Sequence, residues 1–264
     1  MVERRYADWQ PDRLSTLAEE LVRLEADLII GRGTQPTLAA KKATTTIPIV
    51  MSGGSDPVAM GIVPSLSRPG GNITGYAFMA PEVIAKQAQV IHEILPAARR
   101  IAILDPEIDG GAGGVNAFLL EQAEAIYRSL GLELFAVKFA KPYGSDRGQN
   151  AIAEASRQGA HAVHLFVGDS RAAVEAANVR RLPLIVRSRE SLEAGGLMYL
   201  EADLDDRPRR VAAMVDKILR GAKPADIPIE QPTKFNLGIN VKAASALGIS
   251  IPQSVVMRAD EVVR

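Results

Sequence analysis

The sequence predicts an α/β protein built as two doubly wound parallel-sheet lobes, and three observations predict it. Short apolar runs alternate with helical patterns through most of the 264 residues. Several of these runs are apolar on both faces, as strands covered by helices on each side must be. One supersecondary unit also occurs twice, in distant parts of the chain.

The elements follow in order. Leu14, Leu17, Leu21 and Leu24 recur at three- and four-residue steps, one stripe of a first helix. Strand candidates are residues 27–30, 47–50, 100–104, 132–137, 162–167 and 182–186. Leu119, Ala123, Ile126 and Leu130 form a second helical stripe, with Gly131 as its stop. Val211, Val215, Ile218 and Leu219 form a third, closed by Gly221 and Pro224. The repeated unit runs from strand and glycine (residues 28–31) through a small-residue helix around Ala39 to an apolar-Pro strand opening at Ile47–Pro48. It returns as residues 165–168, a helix over 172–177 and the opening at Leu182–Pro183. Any two βαβ units share part of this pattern, but the matched spacing points to two lobes of related build.

Composition narrows the function. Thirty-one Lys and Arg balance 31 Asp and Glu. A nucleic-acid groove or an anionic-membrane face needs a positive excess, so no nucleic-acid partner is expected. The absence of cysteine removes disulfides, thiolate nucleophiles and zinc–thiolate sites together. Residues 1–11 are charged and polar and lack the apolar core of a secretory signal. No run approaches the ~20 apolar residues that span a bilayer. The chain as given reads as soluble, either cytosolic or the trimmed form of an exported protein.

Ligands of doubly wound sheets sit outside the carboxyl ends of the strands, where helix N-termini and loop amides point. The residues just after each strand are therefore the candidates. Gly33, Thr34 and Gln35 follow the first strand; Thr34 either caps the next helix or hydrogen-bonds a ligand. Gly54, Ser55 and Asp56 follow the second, in a turn expected to hold its amides free for a carboxylate or hydroxyl. Asp105 and the run from Asp109 through the glycines to Gly114 follow the third. Gly168 and Asp169 follow the strand at 162–167; Asp169 is a helix cap or an anion suited to a ligand ammonium. Arg187 begins a charged cluster after the last strand, which is either a solvated helix start or part of the site.

Chemistry has little to stand on. The glycine runs at Gly33 and Gly111 fail the dinucleotide spacing, with Pro36 and Asn116 in the third place, and no phosphate loop occurs. His161 and His164 lie three apart on one strand candidate, so they point to opposite faces and cannot share a metal. No nucleophile elbow is present. Convergent carboxylates, among them Asp56, Asp105, Asp109 and Asp169, leave an acid–base enzyme open as an alternative. The reading adopted is binding without chemistry: no catalytic residue, no metal and no cofactor.

Residues 47–58 (IPIVMSGGSDPV) and 66–75 (LSRPGGNITG) resemble the substrate-binding proteins of a bacterial ABC uptake family, the one with tryptophan- and tyrosine-type members. Residues 218–228 (ILRGAKPADIP), 231–235 (QPTKF) and 240–244 (NVKAA) are similar to the same family's C-terminal signature. The resemblance implies a type I periplasmic binding fold: two lobes, three hinge crossings and a ligand in the cleft. It implies a first lobe of residues 1–76 plus 188–227 and a second of 77–187 plus 228–264. It maps the pocket onto Thr34, Gln35, Ser55, Asp56, Asp105, Asp169 and Arg187, and suggests an aromatic amino acid or related ligand. The apolar wall would come from Phe166 and Tyr76. The family opens with a signal peptide, a strand and a helix, whereas here residues 2–6 already resemble its second strand. The opening unit is therefore expected to be missing, which exposes a strand edge that a homodimer would cover.

The function expected is a passive solute receptor that closes over a small molecule and presents it to a membrane permease. In full-length form it would be periplasmic or lipid-anchored outside the cytoplasmic membrane. The alternatives are an enzyme on a doubly wound scaffold using cleft carboxylates, and a cytosolic ligand-sensing domain.

Overall fold

A computed structural model describes residues 1–8, 10–78, 80–106, 114–139, 145–166, 171–203 and 206–264. The chain runs α1 (Arg13–Arg23), β1 (Ile29–Gly31), α2 (Thr34–Ala43), β2 (Ile49–Ser52), β3 (Ile73–Tyr76), α3 (Ala80–Ile94) and β4 (Arg100–Pro106). It continues through α4 (Gly114–Ser129), β5 (Glu133–Phe139), α5 (Ser145–Arg157), β6 (Ala162–His164), α6 (Arg171–Val179), β7 (Leu184–Ile185) and α7 (Arg189–Glu193). It ends with β8 (Met198–Ala202), α8 (Arg207–Leu219), a 3₁₀ turn (Pro224–Asp226), β9 (Phe235–Asn240), α9 (Val241–Leu247), α10 (Gln253–Arg258) and β10 (Glu261–Val263).

Leaving aside the β4–α4 connection, the chain divides into two compact units. The first holds Met1–Ala80 and Asp203–Thr233; the second holds Pro81–Ile108, Asn116–Ala202 and Lys234–Arg264. These boundaries differ from the expected ones at residues 188–202, expected in the first lobe. The reason is β8, which pairs with β7 and β9 and is thereby part of the second unit's sheet. Residues 228–233, expected in the second lobe, lie in the first: Ile229 and Glu230 donate backbone N–H bonds to Leu66 and Gly75.

The first unit is a parallel sheet in the order β1-β2-β3. Its central strand is apolar on both faces, and the period of two sorts its side chains. Ile49 and Met51 pack with Ile29, Ala40 and Ile73 on one face. Val50 packs with Val211, Met214 and Ile218 of α8 on the other. At Gly75 (φ +146) a Cβ would stand 2.2 Å from the Met51 carbonyl oxygen, so β2 and β3 pair here only with glycine.

The second unit is a seven-stranded sheet in the order β10-β9-β8-β7-β6-β4-β5. The pairings are parallel except β8 with β9, which is antiparallel, so the expected all-parallel sheet is corrected at that pair. Here β4 repeats the logic of β2: Ile101 and Ile103 face a core with Ile91, Tyr127 and Met198, while Ala102 and Leu104 face one with Ile152, Val174 and Val186. The duplicated motif of the sequence is real: β1-α2-β2 and β6-α6-β7 are both right-order parallel βαβ units, one in each compact unit.

Residues 2–6, expected to be a strand, are not one. β1 is the edge of its sheet, and among the described residues no strand lies along its outer side. Instead Arg5 reaches α1 through Glu20 (Nε to Oε2 2.9 Å), and Val2 and Tyr6 are exposed.

Candidate functional site

In the first unit, Gly31, Met51 and Gly75 are register partners at the carboxyl ends of β1, β2 and β3. The loops that leave these strands carry the candidate residues. Gly33 (φ +101) turns the chain into α2 as its N-cap, without a side-chain cap bond. Thr34 is thus the first helical residue rather than the cap, and its buried Oγ1 accepts the Ser55 N–H at 3.0 Å. That bond joins the β1 and β2 loops. Gln35 is half-buried beside it.

The β2 loop is more internally satisfied than the sequence suggests. Gly53 N–H donates to the Tyr76 carbonyl at 2.8 Å, and Phe78 N–H donates to the Gly54 carbonyl at 2.8 Å. The Asp56 carboxylate accepts from Val58 and Ala59 N–H at 2.9 and 3.1 Å, so it shapes its own turn. The expectation of free amides is therefore corrected at Gly53 and Ser55. Tyr76, expected as an aromatic wall, is a core residue at 2% exposure. Phe78, two residues on, is half-buried and stands edge-on to Tyr76, with ring centroids 6.4 Å apart and planes at 83°.

Phe78 has a second neighbour. The Arg207 guanidinium at the start of α8 lies 5.7 Å from its ring centroid, within the ~6 Å range of a cation–π contact. Gly53 (φ +83) is the floor of this group: a Cβ there would be 3.0 Å from the Phe78 ring and 3.4 Å from Arg207 Nη1. Sequence reasoning missed both Phe78 and Arg207. Phe78 lies after a strand that the sequence did not predict, and Arg207 belongs to a helix far downstream.

In the second unit, Ile103, His164 and Ile185 are register partners on β4, β6 and β7. Asp105, Phe166 and Arg187 each stand two residues further along, so the fold gathers these three positions into one row at the carboxyl edge. Asp105 is placed by its backbone alone; Gly168, Asp169 and Asp109 lie outside the described residues. The Phe166 ring meets the His164 ring edge-on, with centroids 4.6 Å apart. The Arg187 guanidinium bonds Glu201 (Nε to Oε1 3.0 Å) and donates to the Phe166 carbonyl, which ties β6, β7 and β8 together at this edge. Ser188 caps the short helix α7 by accepting the Ser191 N–H, the structural reading of that charged cluster.

The histidines hold structure. His161 Nδ1 accepts the backbone N–H groups of Arg99 and Arg100. His164 Nδ1 pairs with the Tyr127 hydroxyl at 2.7 Å inside the core. Burial, with the nearby Arg187 charge, pushes His164 down to about 3, and burial pushes the Tyr127 hydroxyl up. Among the described residues no group of three or more His, Asp or Glu is placed to hold a metal ion. A cavity of about 290 Å³ lined by Glu124, Arg128 and residues 131–134 lies at the amino end of β5, the far end of that sheet from the candidate loops. Among the described residues no helix is long and apolar enough to cross a membrane.

Comparison with known proteins bears on the family and the fold. Residues 2–263 match the family described as ABC transporter substrate binding protein. A tyrosine-binding protein of Clostridioides difficile is 24% identical over 243 residues, 88% of this chain; the chain spans 66% of that protein, just under two thirds of its length. Among solved structures, an ABC domain from Streptococcus pneumonia in complex with L-Trp is 25% identical, with a TM-score of 0.78, over 96% of this chain and 86% of that one. A conserved domain protein from Vibrio cholerae o1 biovar eltor is 26% identical, with a TM-score of 0.80, over 96% and 84%.

Proposed function

The chain belongs to the ABC transporter substrate binding protein family, with the α/β fold of the type I periplasmic binding proteins, and on that premise we propose that it is the solute-binding component of an uptake transporter. Its ligand is an aromatic amino acid or a close relative. It binds outside the cytoplasmic membrane and delivers the ligand to a membrane permease. The observation that carries this reading is the family match along residues 2–263. The ligand class is supported by the relative that binds tyrosine and the one solved with L-Trp.

The loops at the carboxyl ends of β1–β3 and of β4, β6 and β7 are the binding surfaces in this reading. In the first unit Thr34, Gln35 and Ser55 offer neutral polar groups and Phe78 an apolar face. In the second, Phe166 offers another, and Asp105, Gly168 and Asp169 remain candidates from their place after β4 and β6. Arg187 acts by fixing the Phe166 backbone rather than as an open cation, given its pairing with Glu201. We read the protein as a receptor without catalysis. An acid–base role for Asp56 would compete with the two backbone N–H groups its carboxylate already accepts.

The test is calorimetric titration with L-tryptophan, L-tyrosine and L-phenylalanine, paired with thermal unfolding. Saturable binding is expected. At a ligand concentration of 100 Kd the bound state gains about 2.7 kcal/mol, a rise of several degrees in Tm for domains of this size. Titrations without heat or Tm change for all three would overturn the ligand class.

A further inference from the structure

We propose that Arg207 is the residue that binds the carboxylate of the ligand, with Phe78 as the apolar contact beside it. The proposal rests on the receptor reading above and goes beyond it by naming the chemical group recognised in the first unit and the side chain that recognises it.

Three arginines, Arg207, Arg209 and Arg210, crowd the first turn of α8, which carries no acidic residue. Cations at a helix N-terminus oppose the macrodipole and weaken the helix. Two of the three are neutralised in place. Arg209 pairs with Asp206 (Nη1 to Oδ1 3.1 Å), and Arg210 pairs with Glu230 (Nη1 to Oε2 2.8 Å). Arg207 forms no ion pair with a described residue, and its neighbour is the Phe78 ring. Among the described residues, then, Arg207 alone of the three has no ion-pair partner, and its half-buried guanidinium keeps N–H donors for an incoming anion.

The surroundings specify that anion. Val211, Met214 and Ile218 anchor α8 to the sheet through Val50 and Tyr76, which fixes where Arg207 emerges. It emerges at the carboxyl ends of β2 and β3, over the side-chain-free backbone of Gly53. Tyr76 holds the Phe78 ring edge-on. The acidic groups near the Tyr76 hydroxyl are Glu230, which is held by Arg210, and Asp203. A guanidinium presents planar N–H donors that match a carboxylate in bidentate fashion. One cation, one ring and a glycine floor suit a small monoanionic head with an adjoining apolar body; a polyanion would need more cations than this.

Three probes separate the groups of the ligand: L-tryptophan, indole-3-propionate (carboxylate without amine) and tryptamine (amine without carboxylate). Calorimetry on the whole chain is expected to give binding of tryptophan and indole-3-propionate, with tryptamine at least tenfold weaker. Arg207→Met should weaken tryptophan by about 10–100-fold and leave it no better than tryptamine. Arg207→Lys should recover part of the loss, and Arg209→Met should bind as the parent does. Unaltered tryptophan affinity in Arg207→Met overturns the proposal, as does parent protein that binds tryptamine as tightly as tryptophan. The second comparison needs no variant, so it decides the matter even if Arg207→Met melts early. Parent protein that ignores these probes but binds an aliphatic amino acid in an Arg207-dependent way keeps the carboxylate assignment and removes only the aromatic reading. Parent protein that binds no carboxylate from a panel of the twenty amino acids removes both.

Discussion

The buried polar side chains of this protein find their partners in the core, most of them backbone groups and, at His164, another side chain. His164 Nδ1 and the Tyr127 hydroxyl share a hydrogen bond, and burial holds the His164 pKa at about 3 against an ordinary 6.5. The sign of the consequence is fixed. Between these values the unfolded chain takes up a proton that the folded chain refuses, so stability falls as pH falls from about 6.5 toward 3. The slope approaches ~1.4 kcal/mol per pH unit at its steepest. Urea unfolding at pH 7.5 and pH 5 should report this loss, and His164→Asn should flatten it although it lowers stability at both. Thr34 is the other informative residue. Thr34→Val leaves the Ser55 N–H without its acceptor, so a loss of about 1–2 kcal/mol in stability is expected, together with weaker ligand binding. Thr34→Ser keeps the oxygen and should retain most of both.

At the scale of elements, the legible parts of the sequence were those whose surroundings are apolar on every side. β2 and β4 carry unbroken apolar runs because helices cover both faces of their sheets, and that pattern is local. β3, β8, β9 and β10 were not legible. β3 is four residues containing Thr74 and Gly75, and its Thr74 Oγ1 donates to the Ile227 carbonyl 153 residues away, a partner no local pattern announces. β9 contains Asn236, Gly238 and Asn240, whose polarity reads as loop. Gly238 is required because a Cβ there would meet the Tyr199 ring at 2.2 Å. The candidate site divides the same way. Thr34 and Ser55 follow legible strands, whereas Arg207 reaches the site only through the packing of α8 on β2 and β3. Asn240 illustrates how far such an element depends on one side chain. Its amide caps α9 by accepting the Ala243 N–H and donates to the Leu192 carbonyl, both at 2.7 Å. Asn240→Ala should cost about 2–3 kcal/mol by denaturant unfolding, one part from the lost cap and one from the carbonyl left buried.

For the whole molecule, the buried apolar clusters fall cleanly into the two units. Ile49, Met51 and Val50 belong to cores of the first; Ile101, Tyr127 and Ile152 belong to cores of the second. Units with separate cores unfold with partial independence. Scanning calorimetry of the ligand-free chain should therefore require more than one two-state transition. Ile49→Ala removes side-chain volume from a fully buried site and should cost about 2–5 kcal/mol, moving one transition and sparing the other.

Neither unit is a continuous stretch of chain, and this orders events on the ribosome. Translation delivers β1, β2 and β3 early, but Val50 and Tyr76 stay uncovered until α8 is made, after the strands β4–β8 of the other unit have already appeared. That other sheet in turn keeps the flank of β8 bare until β9 arrives. Residues 203–264 finish both units together. A nascent chain halted before Asp203 would carry two open apolar surfaces at once, and it is in that interval that a holding chaperone has most to bind.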